Sequence, residues 1–211
     1  AKILLKYPKV LILSDDIYEK ILYDKTRFYT IANVEPALKD RTITMNGVSK
    51  AYCMTGWRLG YCGGPKEIIA GINKIQSQST TSTSSISMAA AVEALNGNQD
   101  FILTHNQHFV KRRDMVVEKL NKIPGIKCET PQGAFYVYPS CAGCIDKKTP
   151  SGDIIRSDED FMNYLLDSEG VAGVHGEAFG LSPYFRLSYA TDEQTLNDAC
   201  NRIMRACKKL K

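Results

Sequence analysis

Two short strand-like segments near the start of this 211-residue chain constrain its fold more than any other feature. The first, "VLIL" (10–13), is a continuous apolar run that ends at "SDDIY". The second, "RTITMN" (41–46), ends just before "GVSK". A continuous run such as "VLIL" is the pattern of a strand buried on both faces of a parallel sheet. In open α/β sheets, ligands gather beyond the carboxyl ends of the strands. One rim of the sheet therefore receives Asp15 and Asp16 from the first strand and Lys50 from the second.

Lys50 sits in "VSKAYCMTGWRLGY" (48–61), among small and aromatic residues, with Arg58 as the next charge. Lysine is strongly hydrated and is rarely fully buried without a partner. Taken singly, these residues have ordinary explanations. An Asp-Asp pair after a strand is usually a turn or a helix cap, Tyr18 a packed aromatic, Arg58 half of an ion pair and Lys50 a solvated amine. Their joint placement argues for chemistry. Pyridoxal phosphate needs a lysine for its aldehyde and a carboxylate at its ring nitrogen. It also needs a donor near its phenolic oxygen and a cation for its phosphate. Asp15, Tyr18, Lys50 and Arg58 supply all four. A lysine at its ordinary pKa of about 10.4 is a poor nucleophile at neutral pH. Apolar surroundings and a neighbouring cation such as Arg58 lower that value.

The remaining pattern alternates strand and helix. "RLGYCGG" (58–64) is a third strand candidate running into Pro65, a favoured first helical residue. Ile68, Ile72 and Ile75 then line one helix face. "SQSTTSTSSIS" (77–87) has the composition of a linker. It is followed by a helix, "MAAAVEALNG", that Gly97 stops. A longer helix is predicted over about 99–122, broken by "KIPGI". "GAFYVYP" (133–139), "VAGV" and "YFRLSY" are strand candidates, and a helix opens at Ser157 and closes at Gly170. "TDEQ" (191–194) has the form of a capping box with Thr191 as N-cap and Gln194 reaching back. Leu196, Cys200, Ile203, Cys207 and Leu210 form the apolar stripe of a last helix, whose final turn carries Lys208 and Lys209. The pattern is α/β in two subdomains.

Composition narrows the function classes. With 44% hydrophobic and 24% charged residues and a net charge of +4 spread along the chain, nothing marks a nucleic-acid footprint. No apolar run reaches the ~20 residues of a membrane span. Seven cysteines have no framework spacing, and the place of Cys200 and Cys207 on the apolar face of the last helix points to reduced thiols and a cytoplasmic setting. Cys141 and Cys144 have C-x-x-C spacing, and His105 and His108 stand three apart, but neither pair has the further ligands a metal needs. No metal site is expected. The start, "AKILLKYPKV", lacks both an initiator Met and the apolar core of a signal peptide. The true beginning is therefore expected to lie upstream.

"SDDIYEKILYD" followed by "NGVSKAYCMTGWRLGYCGGP" resembles the class I, fold-type I pyridoxal-phosphate aminotransferases. The likeness is to the bacterial aspartate aminotransferase branch that includes the aspartate/prephenate aminotransferases. "IQSQSTTSTSSIS", "GAFYVYPSCAG", "GVAGVHGEAFG" and "PYFRLSYAT" extend the resemblance through the whole chain. It implies the C-terminal part of the large mixed-sheet domain over 1–110 and the small α+β C-terminal domain over 111–211. It implies that Lys50 holds the cofactor and moves the proton, that Asp15 pairs with the ring nitrogen, and that Tyr18 bonds the phenolic oxygen. Ser49 and Arg58 would hold the phosphate, and Arg186 would clamp the substrate α-carboxylate.

The implied activity is amino-group transfer between aspartate or glutamate and a 2-oxo acid, with prephenate as a further acceptor, in ping-pong steps. The implied assembly is a homodimer with the Ser/Thr-rich stretch at its interface. Cys53 and Gly47 depart from the family pattern without removing a catalytic group. The family's Gly-rich phosphate turn and ring-stacking aromatic precede this segment, so the 211 residues alone are expected not to transaminate. A carbon–sulfur lyase on the same scaffold and a cofactor-sensing regulator domain are the alternatives.

Overall fold

The computed structural model describes residues 1–211. The chain divides into two compact units, Ala1–Thr104 and His105–Lys211, and the division falls within one helix.

The first unit holds a three-stranded sheet in the order β1 (Ile12–Asp15), β2 (Thr42–Gly47), β3 (Gly60–Gly63). β1 and β2 run parallel, with Ile12 opposite Thr42 and Asp15 opposite Met45, and β3 returns antiparallel with Gly60 opposite Gly47. The sheet is therefore mixed. The expectation that "VLIL" is buried on both faces is not met. The strand starts at Ile12, and Val10, Leu11 and Leu13 are exposed. These apolar side chains have the composition of a covered strand, but no element of this chain covers them.

Around the sheet lie α1 (Lys2–Leu5), α2 (Ile31–Val34), α3 (Lys66–Ser79) and α4 (Ser85–Asn96). Arg41 ties the entry to β2 back to the chain start, donating to the carbonyls of Leu4, Tyr7 and Val10 at 2.6–3.0 Å. Ile68 and Ile72 face inward on α3, whereas Ile75 is exposed, so only part of the predicted stripe is covered. The Ser/Thr-rich stretch is not a linker. Ser77 and Ser79 belong to α3, their hydroxyls donating to the Lys74 and Ile75 carbonyls, and α4 begins at Ser85. Composition is a weak prior against a back-bonded helix end.

α5 (Asp100–Leu120) contributes Ile102 to the buried cluster of the first unit, which comprises Val48, Ala51, Tyr52, Ala91 and Ile102. The Tyr52 hydroxyl donates to Gln99 Oε1 at 2.9 Å. A buried phenol with a partner carries no penalty for its polar end.

In the second unit, β4 (Tyr136–Val137), β6 (Phe185–Ser188) and β5 (Val174–His175) form an antiparallel sheet in that order. The strands "GAFYVYP" and "VAGV" are thus shorter than their apolar runs. α6 (Asp158–Glu169) opens with a capping box in which the Ser157 hydroxyl accepts from the Asp160 N–H, and it closes at Gly170 in the left-handed region, φ 66°. α7 (Glu193–Lys209) buries Leu196, Cys200, Ile203 and Cys207 as the periodicity predicts. Its cap differs. Asp192, not Thr191, accepts the Thr195 N–H at 2.8 Å, and no Gln194 contact closes the box. A carboxylate at the positive end of a helix dipole is a stronger acceptor than a neutral hydroxyl. Phe161, Leu165, Phe185, Tyr189 and Ile203 fill the core of this unit. No helix is long and apolar enough to cross a membrane.

Candidate active site

Asp15 is the last residue of β1, and β2 carries the chain past Gly47 into the turn that holds Ser49 and Lys50. Because β1 and β2 are parallel, both groups leave the sheet at the same edge. Adjacent strands lie about 4.8 Å apart, which sets the scale of the rim between them.

The two aspartates have separate tasks. Asp16 is buried; its N–H donates to the Met45 carbonyl at 2.9 Å and its Oδ1 accepts the Ser14 hydroxyl at 2.7 Å. Asp15 is exposed, and its Oδ1 accepts the Ile17 N–H at 3.3 Å, a turn that turns the chain toward Tyr18. Asp16 is bound into the fold, so Asp15 is the carboxylate presented outward. Tyr18 is half-buried in the turn that follows.

The surroundings of Lys50 have a packing reason. Val48, Ala51 and Tyr52 are buried in the cluster with Ala91 and Ile102. Ser49 and Lys50 are therefore held between buried anchors on both sides, half-buried themselves. The turn is closed by the Cys53 N–H donating to the Lys50 carbonyl at 3.2 Å. Gly47 allows the entry, since a Cβ there would lie 3.1 Å from the Leu59 carbonyl oxygen. Cys53 and Arg58 both adopt left-handed backbone, φ 55° and 51°. Such strain persists where the surrounding structure over-determines it, often at functional sites. Arg58 is exposed, with one guanidinium nitrogen donating to the Thr55 carbonyl at 2.9 Å.

In the second unit Arg186 lies on β6, half-buried, between two aromatic faces. Its guanidinium carbon is 4.5 Å from the Tyr136 ring centre and 4.4 Å from that of Phe179. Tyr136 pairs with Ser188, so it stands diagonal to Arg186 on one sheet face. Phe179 comes from the loop after β5. Tyr138 braces that loop, its hydroxyl donating to the Gly176 carbonyl at 3.1 Å and its ring stacking on Tyr184 at 5.5 Å. Burial pushes the Tyr138 phenol up, with the nearby Asp158 carboxylate adding to it, so it remains a donor. Gly176 is required here: a Cβ would lie 2.2 Å from the Leu181 carbonyl oxygen. Tyr136 and Phe179 were not singled out in the sequence. The alternation in "GAFYVYP" puts Tyr136 and Tyr138 on one face, but the cross-strand register that brings Tyr136 to Arg186 has no local signal.

Asp15, Tyr18, Ser49, Lys50 and Arg58 all belong to the first unit, and Arg186 belongs to the second. The first set, a carboxylate, a phenol, a hydroxyl, an amine and a guanidinium, suits an anionic ligand that bears an aldehyde and a basic ring nitrogen.

The family model for aminotransferase class I and II matches residues 1–203. The chain belongs to that family. It is 57% identical over 205 residues to a probable aspartate/prephenate aminotransferase of Rhizobium leguminosarum bv. phaseoli, covering 97% of this chain and 51% of the relative. An aspartate/prephenate aminotransferase of Cereibacter sphaeroides is 52% identical, covering all of this chain and 52% of the relative. The crystal structure of the aspartate aminotransferase from Rhizobium meliloti superposes with a TM-score of 0.96 at 55% identity, covering the whole chain and 52% of that structure. The chain spans about half the length of the curated relatives it matches. The fold is that of these aminotransferases over the half it covers, as the resemblance implied.

Proposed function

We propose that the full-length protein containing this chain is a pyridoxal-phosphate-dependent aminotransferase moving an amino group between aspartate or glutamate and a 2-oxo acid. The names of its relatives support aspartate as donor and prephenate as an acceptor. The observation that carries the proposal is the parallel β1–β2 pair delivering Asp15 and Lys50 to one sheet edge. The cofactor, when bound, supplies an electron sink for charge released at the substrate α-carbon.

The roles of this chain's residues follow from their chemistry. Lys50 would hold the cofactor through its aldehyde group and, once the incoming substrate amine has displaced it, its free amine would move the proton of the substrate α-carbon. Asp15 presents a carboxylate to the ring nitrogen and keeps that nitrogen protonated. The Tyr18 hydroxyl donates to the phenolic oxygen, and Ser49 and Arg58 hold the phosphate. Arg186, stiffened by Tyr136 and Phe179, takes the substrate carboxylate as a two-point contact. A homodimer is part of this proposal, supported by exposed Ile86, Met88 and Val92 on α4, and a cytoplasmic setting is proposed with it.

The test is borohydride reduction of the cofactor-loaded full-length protein, followed by peptide mapping. The mass label is expected on Lys50; label on another lysine would refute the assignment. Product analysis completes it, since release of pyruvate and ammonia from the amino donor would mark a lyase instead.

A further inference from the structure

Asp158, at the first turn of α6, is fully buried and belongs to none of the roles above. A buried carboxylate needs compensation. Its Oδ2 accepts the Glu177 N–H at 3.0 Å. Burial pushes the carboxyl up, but the Ser182 side chain and the backbone of Glu177, Gly176 and Tyr184 outweigh it and hold the group below its ordinary value. Glu177, the one hydrogen-bond donor, and the groups that lower the carboxyl all lie on the segment between β5 and β6, residues 176–184, while Oδ1 is buried without a hydrogen-bond partner. The same loop closes on itself through the Gly176 N–H to Tyr184 carbonyl bond at 2.7 Å and the Leu181 N–H to Gly176 carbonyl bond at 3.2 Å. Phe179, at its tip, is exposed yet lies 4.4 Å from the Arg186 guanidinium carbon and 6.1 Å, edge to face, from the Tyr138 ring. Little apolar burial holds the exposed Phe179 tip, and the Asp158 carboxylate and the Tyr138 hydroxyl are among the side chains that anchor the segment instead.

We propose that Asp158 is a positioning residue for the substrate-carboxylate clamp: by anchoring the 176–184 loop it sets Phe179 over Arg186 and fixes the direction in which the guanidinium meets a carboxylate. Asp158 touches neither substrate nor cofactor in this scheme and acts through Phe179. The inference rests on Arg186 being the carboxylate-binding group, as proposed above. A flexible guanidinium loses two-point geometry first, so the expected signature is weaker binding with the chemical step largely kept.

The experiment uses the full-length holoenzyme and three variants, with maleate as an unreactive dicarboxylate probe. Asp158→Ala is expected to raise the aspartate KM and the maleate Kd about tenfold, with kcat within about threefold of wild type. Asp158→Asn keeps an acceptor for Glu177 and is expected to show a smaller rise in both. Phe179→Leu removes one face of the sandwich from an exposed site and is expected to raise both constants without lowering Tm. If folded Asp158→Ala loses Tm but keeps wild-type KM and Kd, the residue is only structural and the proposal is overturned. If Asp158→Ala does not fold, unchanged constants in Phe179→Leu overturn it, because the anchor works through that ring. A wild-type enzyme that does not transaminate refutes the function itself, whereas normal wild-type turnover with unmoved variant constants refutes only the anchor.

Discussion

Asp15 and Met45 occupy paired positions across the parallel strands β1 and β2, and five residues beyond Met45 the same chain delivers Lys50. That register places a carboxylate and an amine beyond one sheet edge. It also gives the first prediction. In the full-length protein, Asp15→Asn keeps the shape but cannot balance a protonated ring nitrogen. It is expected to lower kcat by on the order of 100-fold or more. Asp16→Asn is expected to keep kcat and to lower Tm instead, because Asp16 is buried against Ser14. Steady-state kinetics beside thermal melts of the two variants checks this. Equal effects on kcat would contradict the division between the two aspartates.

Arg186→Lys tests the clamp. Lysine keeps the charge but loses both the planar fork and the stacking against Tyr136 and Phe179. Loss of about 2–3 kcal/mol of charge-assisted hydrogen bonding corresponds to roughly 30- to 150-fold in kcat/KM. The loss is expected mainly in KM, and equally for aspartate and for 2-oxoglutarate, since both carry the carboxylate that Arg186 meets.

How much of this was legible in the residues depends on the range of the interaction that decides it. Lys50 and the aspartates were readable because strand ends and a continuous apolar run are local features. The choice of Asp15 over Asp16 came from the family resemblance and not from a local pattern, because the burial of Asp16 is decided by the Met45 carbonyl and Ser14 hydroxyl that it meets once folded. The Arg186 sandwich needs a two-residue strand in the right register and a nine-residue loop pinned by Asp158, none of which has a periodic signature. The α7 cap failed for a nearer reason: Thr191 and Asp192 are adjacent acceptors, and charge decided between them.

Acid sensitivity should follow from Glu169 at the end of α6. Its carboxylate bridges to Lys209 at 3.0 Å and Arg205 at 2.8 Å on α7, and these two cations hold it below the usual glutamate value. A carboxyl lowered on folding stabilises above its unfolded pKa, about 4.3, and loses that contribution as pH falls through the folded value. Asp192, lowered by its Thr195 hydrogen bonds, acts in the same direction. Urea midpoints are expected to fall from pH 5 to pH 3. Glu169→Gln should lower the midpoint at pH 7 and make no difference once the wild-type carboxyl is protonated.

The core prediction concerns Phe161, which is fully buried on α6 with its ring centre 5.5 Å from that of Phe185. Phe161→Ala removes a ring that α6 packs onto β6, and the loss should be about 3–5 kcal/mol of stability by denaturant unfolding. Because β6 carries Arg186 next to Phe185, the folded fraction of this variant is also expected to bind maleate more weakly.

Thiol reactivity separates the cysteines by burial. Cys53 is exposed on the Lys50 loop, while Cys128 and Cys141 are buried. Burial pushes both of the latter up to about 12, with the Glu129 charge adding at Cys128 and Cys144 adding at Cys141. Only the thiolate attacks a disulfide reagent, so at pH 8 these two thiols present almost none of the reactive form. Mass mapping after a short exposure to an aromatic disulfide reagent should find Cys53 modified and Cys128 and Cys141 unmodified until denaturant is added. Because Cys53 adopts left-handed backbone three residues beyond Lys50, modification there should also perturb the Lys50 turn. Prior loading with pyridoxal phosphate is therefore expected to slow the labelling of Cys53 and to leave the buried pair unchanged. Labelling of Cys141 at the rate of Cys53 in the native protein would contradict the packing of the second unit.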